Sequence, residues 1–295
     1  MEETMKIANY GGRLALTDGK SVMDVEARSN GRFASDPGAI YGEWDEFSLW
    51  AQTVTKDAAE ELDKSKLWAP SPRPSQIFAV GLNYKDHAEE IKAPLPDFPQ
   101  VFTKFPSSLA GTTTRVMLPE EGNCDWEAEL VVVVGSGGRD IPVDEALNRV
   151  AGFCVGQDLS DRRLQTHGAA PQFSLGKSFE GFAPTGPWLV GTSDFDVNGA
   201  SVECRLNGEV VQQSTLANMV FSVPELISKI SSVAELRPGD LIFTGTPAGI
   251  GAVRNPQRFL SEGDTLTTTI SGIGSIVQDF VRDKFAEHVL DRATR

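Results

Sequence analysis

CDWEAELVVVVG, residues 124–135, sets glutamates at 127 and 129 directly ahead of a run of apolar, mostly β-branched residues. In a strand, residues two apart point to one face. Both carboxylates therefore project together from the mouth of a strand whose continuation, residues 130–134, is expected to be buried. Two adjacent anions repel strongly at low dielectric unless a cation sits between them. A third acid, Asp158, follows another apolar stretch, residues 150–155, within GFCVGQDLSDRRLQ (152–165). Glu127, Glu129 and Asp158 offer only oxygen, with no His or Cys nearby. Such a set suits one hard divalent ion, Mg²⁺ or Mn²⁺, with water or substrate completing the octahedron. Solvated strand-end charges are the plain alternative.

Composition narrows the class. The chain has 295 residues, 40% hydrophobic and 23% charged, enough for one large core or two domains. A formal net charge of −14 argues against a nucleic-acid or anionic-membrane surface. Anionic substrates remain admissible, because a bound divalent cation reverses the local field. Cys124, Cys154 and Cys204 form no CxxC pair, which disfavours structural zinc and a disulfide framework. The start, MEETMKIANYGG, has no basic or apolar leader pattern, and no apolar run approaches the roughly 20 residues of a membrane span. A cytoplasmic protein with reduced thiols is expected.

Residues 1–70 read as a small α+β domain, and 71–295 as the larger catalytic domain. GRLALTDGKSVMDV (12–25) suggests two strands joined at Asp18-Gly19. Trp44, Phe47, Ala51, Val54, Ala58 and Leu62 are spaced for one helical face. LWAPSPRPSQI (67–77) cannot continue a helix and reads as a linker. Beyond it the texture is mainly β with peripheral helices. QIFAVGLNY (76–84) reads as a strand running into a loop and DHAEEIK (86–92) as a short helix. VECRLNGEVVQQ (202–213) is a hairpin turning at Asn207-Gly208, and MVFSVPELISKISSVAEL (219–236) a helix with Pro224 in its first turn. RPGDLIFTGT (237–246) and SEGDTLTTTI (261–270) each carry a glycine turn into a strand. A rolled or sandwiched sheet fits this order better than alternating βαβ units.

Other residues carry candidate chemistry. His87 has Glu90 three residues on, within reach on one helical face, where a carboxylate can orient an imidazole that takes a proton from water. An ordinary helix-surface pair is the alternative. Asp158, Arg162 and Gln165 share a face if their segment is helical. Lys104 and Lys177 lie among aromatic residues, where a buried amine needs a partner such as a carboxylate or a developing oxyanion; otherwise they snorkel to solvent. TGTPAGIGAV (244–253) lacks the third glycine of a dinucleotide fingerprint, and GSGGRD (135–140) lacks the Lys-Ser/Thr of a P-loop. A tight turn bringing Gly245 and Thr246 close to a small ligand is the better reading.

Taken in order, GLNYKDHAEE, VFTKFPSSLAG, DWEAEL, GQDLSDRRLQ, GKSFEGFAPTGPW, RLNGEVVQ and RPGDLIFTGTPAGIG resemble the fumarylacetoacetate hydrolase family across about residues 75–280. The resemblance implies a mixed β-sandwich roll preceded by a small N-terminal domain, commonly as a homodimer. It implies Glu127, Glu129 and Asp158 as Mg²⁺ or Mn²⁺ ligands, and His87 with Glu90 as a water-activating dyad on a mobile lid. Lys177 matches a position facing the substrate or the forming oxyanion, with Gln165 and Arg162 beside it, while Lys104 and Thr246 match positions lining the pocket. The implied substrate is a 2-oxo acid of acylpyruvate type, cleaved to pyruvate and a carboxylic acid. Oxaloacetate decarboxylation, tautomerisation and hydration of a 2-oxo-4-enoate use the same kind of site. A non-catalytic metal-binding protein is a remoter alternative. A glycosidase is disfavoured, because Glu127 and Glu129 are too near in sequence to flank a sugar. IKAPLPDFPQ (91–100) is less typical of the family and is where substrate choice is expected to differ.

Overall fold

Every residue of the strand Ala128–Val134 is buried, and its alternate side chains enter two different cores. Leu130, Val132 and Val134 join a cluster with Val202, Leu266, Ile270, Ile276 and Phe280. Val131 and Val133 join a second cluster with Ile77, Ala79, Phe243, Leu14, Leu16, Phe33 and Phe47. Burial on both faces accounts for the unbroken apolar run, since each such side chain contributes about 1.5–3 kcal/mol when removed from water. The structure, a computed structural model, describes residues 6–55 and 59–282.

Ala128–Val134 pairs antiparallel with Val150–Gln157 on one side and with Leu241–Phe243 on the other. Beyond Leu241–Phe243 the sheet continues through Ile77–Gly81, which is parallel to it, to Gln100–Lys104. Beyond Val150–Gln157 it continues through Ala183–Val190 to Lys6–Tyr10, Arg13–Thr17, Ser21–Asp24 and Glu60–Glu61. A second sheet runs Glu209–Thr215, Ser201–Leu206, Thr265–Ile270, Gly274–Arg282 and Thr113–Leu118, the last pair parallel. Mixed sheets with short peripheral helices are the expected mainly-β class. No helix among the described residues is long and apolar enough to cross a membrane.

The N-terminal segment extends the large sheet through the pairing of Ile7 with Leu189, and its aromatic residues share the second core. The 67–77 linker is pinned: Tyr41 Oη donates to the Pro70 carbonyl, and Ser71 Oγ to that of Gly239. Arg13–Thr17 and Ser21–Asp24 form the hairpin expected at Asp18-Gly19. Asn207 and Gly208 take the positive φ values, 52° and 87°, that their two-residue turn requires. Val223–Ser231 is a helix with Pro224 in its first turn. The helix expected from Trp44 to Leu62 is shorter. It covers Trp44–Ala51 and stops where β-branched Thr53, Val54 and Thr55 follow, with Thr53 Oγ1 donating to the Trp50 carbonyl. Leu62 follows the strand Glu60–Glu61, and Ala58 lies outside the described residues.

Candidate metal and catalytic site

The register between the two central strands assembles the acids. Ala128 faces Gln157 and Glu129 faces Gly156, so Glu127 and Glu129 leave one strand where Asp158 leaves its neighbour. The Asp158 amide donates to the Glu127 carbonyl at 2.9 Å, and the Gln157 side-chain oxygen accepts the Glu127 amide at 2.9 Å. Carboxylate oxygens of Glu127, Glu129 and Asp158 lie within 4.8 Å of one another, and all three residues are buried.

Cations from the chain answer part of this charge. Lys177 Nζ donates to Glu127 Oε2 at 2.8 Å and to Asp158 Oδ2 at 2.6 Å, above the Phe102 ring at 5.0 Å. Lys104 Nζ donates to Asp158 Oδ1 at 2.5 Å and to the Lys177 carbonyl. Arg162 is forked, with Nη2 on Glu127 Oε1 at 2.6 Å, Nε on Asp125 Oδ1 at 2.7 Å and Nη1 on Gln165 Oε1 at 2.8 Å.

The acids and bases are perturbed accordingly. Burial raises the Glu127 carboxyl, but Lys177 and Arg162 together outweigh it and bring it down to about 2. Burial, then the charges of Asp158 and Glu127, holds Glu129 well above the usual carboxylate range. Asp125 is pushed up to about 6 by burial, against the pull of Arg162. The two lysines diverge although both touch Asp158. Burial lowers Lys104, which also feels the charge of Lys177; Lys177, against the same burial, is raised by its two carboxylates.

Four acids (Asp125, Glu127, Glu129, Asp158) against three cations (Lys104, Arg162, Lys177) leave one formal negative charge, 4 − 3 = 1. Among the described residues no lysine or arginine pairs with Glu129, whose Oε2 accepts only the Gly245 amide, at 2.7 Å. An oxygen-only donor set with an uncompensated carboxylate fits a hard divalent cation.

The helix bearing His87 is tied to the same 244–253 segment as this cluster. His87 lies on the helix Lys85–Glu90, its Nδ1 3.0 Å from Glu90 Oε2. The segment is polar, yet Tyr84, His87 and Ala88 are buried, and Asp86 Oδ2 accepts Ser214 Oγ at 2.6 Å. Asn83 anchors its root, donating to the carbonyls of Phe221 and Thr244 and accepting the Phe221 amide. The glycine-rich 244–253 segment joins the parts. Its backbone amides reach three acids: Gly245 to Glu129, Gly249 to Glu90 at 2.9 Å, and Ala252 to Asp125 at 2.8 Å. Gly245 is required there, since φ is +97° and a Cβ would stand 2.7 Å from that of Asn83. Thr246 Oγ1 donates to the Ala128 carbonyl and accepts from Gln212 Nε2.

Asp158, Arg162 and Gln165 converge by a different route from the single helix expected. Only Arg162–Gln165 is helical, because Ser160–Asp161 pairs with Cys124–Asp125 and the Asp161 side chain caps the turn by accepting the Arg163 amide. Asp125 and Gln212 were not among the sequence candidates. Asp125 had a signal, being two residues before Glu127 in a D-x-E-x-E alternation; Gln212, in a hairpin distant in sequence, had none.

The family profile described as fumarylacetoacetate (FAA) hydrolase C-terminal matches residues 76–281. The human oxaloacetate tautomerase FAHD2A, mitochondrial by name, is 42% identical over 216 residues, 72% of this chain and 68% of its own. The crystal structure of a candidate HpcE protein from Mycobacterium smegmatis is 48% identical with a TM-score of 0.89, covering 95% of this chain and 100% of that one. A maleylpyruvate hydrolase from Sphingobium sp. SYK-6, crystallised with manganese(II) and pyruvate, is similar in fold, with a TM-score of 0.78 at 23% identity over 95% of this chain and 100% of that one.

Proposed function

The chain belongs to the fumarylacetoacetate hydrolase family, which includes hydrolases and tautomerases, and on that premise we propose that it performs enolate chemistry on a small 2-oxo acid, hydrolysing an acylpyruvate with one Mg²⁺ or Mn²⁺ per subunit. The observation that carries this reading is the His87–Glu90 pair at 3.0 Å, held by the segment whose Gly245 amide also holds Glu129. Glu127, Glu129 and Asp158 would hold the ion, which when bound supplies Lewis-acid stabilisation of negative charge on the 2-oxo acid.

Glu90 fixes the imidazole, and His87 takes a proton from a water that adds to the distal carbonyl. The Lys177 ammonium stabilises the resulting oxyanion. The carbon–carbon bond then breaks, its electron pair passing to pyruvate enolate, which is protonated to pyruvate while the acyl fragment leaves as a carboxylic acid. A second reading, oxaloacetate tautomerisation, is favoured by the human relative's name. It moves a proton between C3 and the 2-oxygen without adding water, and His87 serves as its base. The proposal includes a cytoplasmic homodimer, for which sedimentation of the purified protein tests the assembly.

The deciding experiment incubates Mg²⁺-loaded protein with a panel of acylpyruvates and with oxaloacetate in ¹⁸O-water. Hydrolysis predicts pyruvate formed one for one with substrate lost, and ¹⁸O in the released acid. Interconversion of oxaloacetate tautomers without acylpyruvate cleavage selects the second reading. Inertness toward all of them rejects both.

A further inference from the structure

Asp125 is fully buried, and both of its carboxylate oxygens are engaged. Oδ1 accepts Arg162 Nε at 2.7 Å, and Oδ2 accepts the Ala252 amide at 2.8 Å. The backbone around it is held as well. Cys124–Asp125 pairs with Ser160–Asp161, and the Arg162 amide donates to the Asn123 carbonyl at 3.0 Å. The loop carrying Ala252 packs against the side chain at Gly251, where a Cβ would stand 2.9 Å from that of Asp125. Asp125 nevertheless stands outside the group of oxygens formed by Glu127, Glu129 and Asp158, and among the described residues Arg162 is the one cation it meets. A buried carboxylate is costly unless it is paired, so its purpose lies with the cation it holds.

That cation also reaches Glu127. Arg162 Nη2 donates to Glu127 Oε1 at 2.6 Å while Lys177 Nζ donates to Oε2 at 2.8 Å, so each oxygen of this residue already meets a positive group. A guanidinium is planar and rigid, so fixing Nε on Asp125 also fixes where Nη2 can reach. Asp125 gives the Arg162 charge a carboxylate of its own. Without it the cluster would hold three acids against three cations, 3 − 3 = 0, and the whole Arg162 charge would fall on Glu127. A divalent ion would then compete with two cations for one carboxylate in a formally neutral site.

We propose that Asp125 is a positioning residue that acts through Arg162: it anchors the guanidinium and takes up its charge, leaving Glu127 able to give an oxygen to the divalent ion. The assignment rests on the metal reading of the triad. The test is Mn²⁺ titration of chelator-treated protein, with the free ion followed by electron paramagnetic resonance. Wild type is compared with Asp125→Asn and with the double variant Asp125→Asn/Arg162→Gln. Asparagine keeps the size of the side chain and the bond to the Ala252 amide, but it cannot neutralise Arg162. Asp125→Asn should bind Mn²⁺ roughly 10- to 100-fold more weakly than wild type, the range for a partner one step removed from the metal. The double variant removes the stranded cation and restores one formal negative charge, 3 − 2 = 1. Its affinity should recover to within about threefold of wild type. A merely structural role gives the opposite sign, since a second buried substitution would loosen the site further. Asp125→Asn that binds as tightly as wild type, or a double variant no tighter than Asp125→Asn, would overturn the proposal. Should Asp125→Asn prove unfolded by circular dichroism, the double variant still decides: recovery supports the proposal, and a loss of about tenfold or more overturns it. Wild-type protein that binds no Mn²⁺ ends the metal reading itself, a result distinct from a wild type that binds the ion while the variants fail to differ as described.

Discussion

Around the acid triad, negative charge is buried at the ends of the central strands and met by Lys104, Lys177 and Arg162; at the helix Lys85–Glu90, one carboxylate meets one imidazole on a segment of six residues. The first arrangement is embedded in the sheet that forms the core. The second hangs from it by a few hydrogen bonds, chiefly those of Asn83, Asp86 and Glu90. Removing the Asp158 charge therefore leaves the buried Lys104 ammonium unpaired and disturbs fold and activity together. Removing the His87 side chain should affect activity while sparing the fold. The glycine-rich segment belongs to both regions, since its amides hold Glu129 and Glu90 alike.

The largest effect is expected at the triad. Asp158→Ala strands the buried Lys104 ammonium and takes one of two carboxylates from Lys177, so we expect about 3–5 kcal/mol lost in urea denaturation as well as loss of turnover. An unchanged denaturation midpoint would mean that Lys104 and Lys177 are not held as described. His87→Ala should reduce hydrolysis about 10²- to 10⁴-fold while Mn²⁺ affinity and the melting curve stay near wild type. If its melting curve collapsed as far as that of Asp158→Ala, the contrast between the two regions would be lost. Gly245→Ala tests the connection. A Cβ at φ +97° pressed against Asn83 should cost about 1–3 kcal/mol and weaken metal binding and turnover together. Metal titration and turnover measured on this variant should move in parallel.

The smallest effect lies away from both regions. Glu225 accepts the Ser222 amide at 2.8 Å and its hydroxyl at 2.6 Å, and the bond from the Ser222 side chain is the main reason its carboxyl is lowered. Glu225→Ala should cost no more than about 1 kcal/mol, because the pair is partly solvated. A lowered carboxyl stabilises the fold above the ordinary glutamate range, and that stabilisation is lost as pH falls through the folded-state value. The difference between wild type and variant should accordingly shrink in acid, as paired denaturation curves across the carboxylate range would record, with activity untouched.

What the sequence disclosed follows the range of the forces involved. The hairpins at Asp18-Gly19 and Asn207-Gly208 and the helix containing Pro224 are set by neighbouring residues, and they form as read. The juxtaposition of Glu127 with Glu129 needs only the two-residue period of a strand. Long-range choices were less visible. The pairing of Ile7 with Leu189 joins the N-terminal strands to the large sheet across 182 positions of sequence, 189 − 7 = 182, and neither strand's composition announces its partner. The helical spacing through Val54 to Leu62 was overridden by a β-branched run and by pairing of Glu60–Glu61 with Ser21–Asp24. The reach of Arg162 to Asp125 and Glu127 depends on a capped four-residue helix and a two-residue bridge, features that periodicity alone does not encode.

The central claim is that Glu127, Glu129 and Asp158 together hold one divalent cation. It is tested most directly by titrating chelator-treated protein with Mn²⁺ and following the free ion by electron paramagnetic resonance, for wild type and for Glu129→Gln. Glu129 is the informative position because no lysine or arginine among the described residues pairs with it, so removing its charge leaves no cation stranded. The account predicts one Mn²⁺ bound per wild-type chain and at least about a tenfold loss of affinity in the variant, with its fold intact by circular dichroism. Wild-type protein that binds no Mn²⁺, or a variant that binds it as tightly as wild type, would contradict the account.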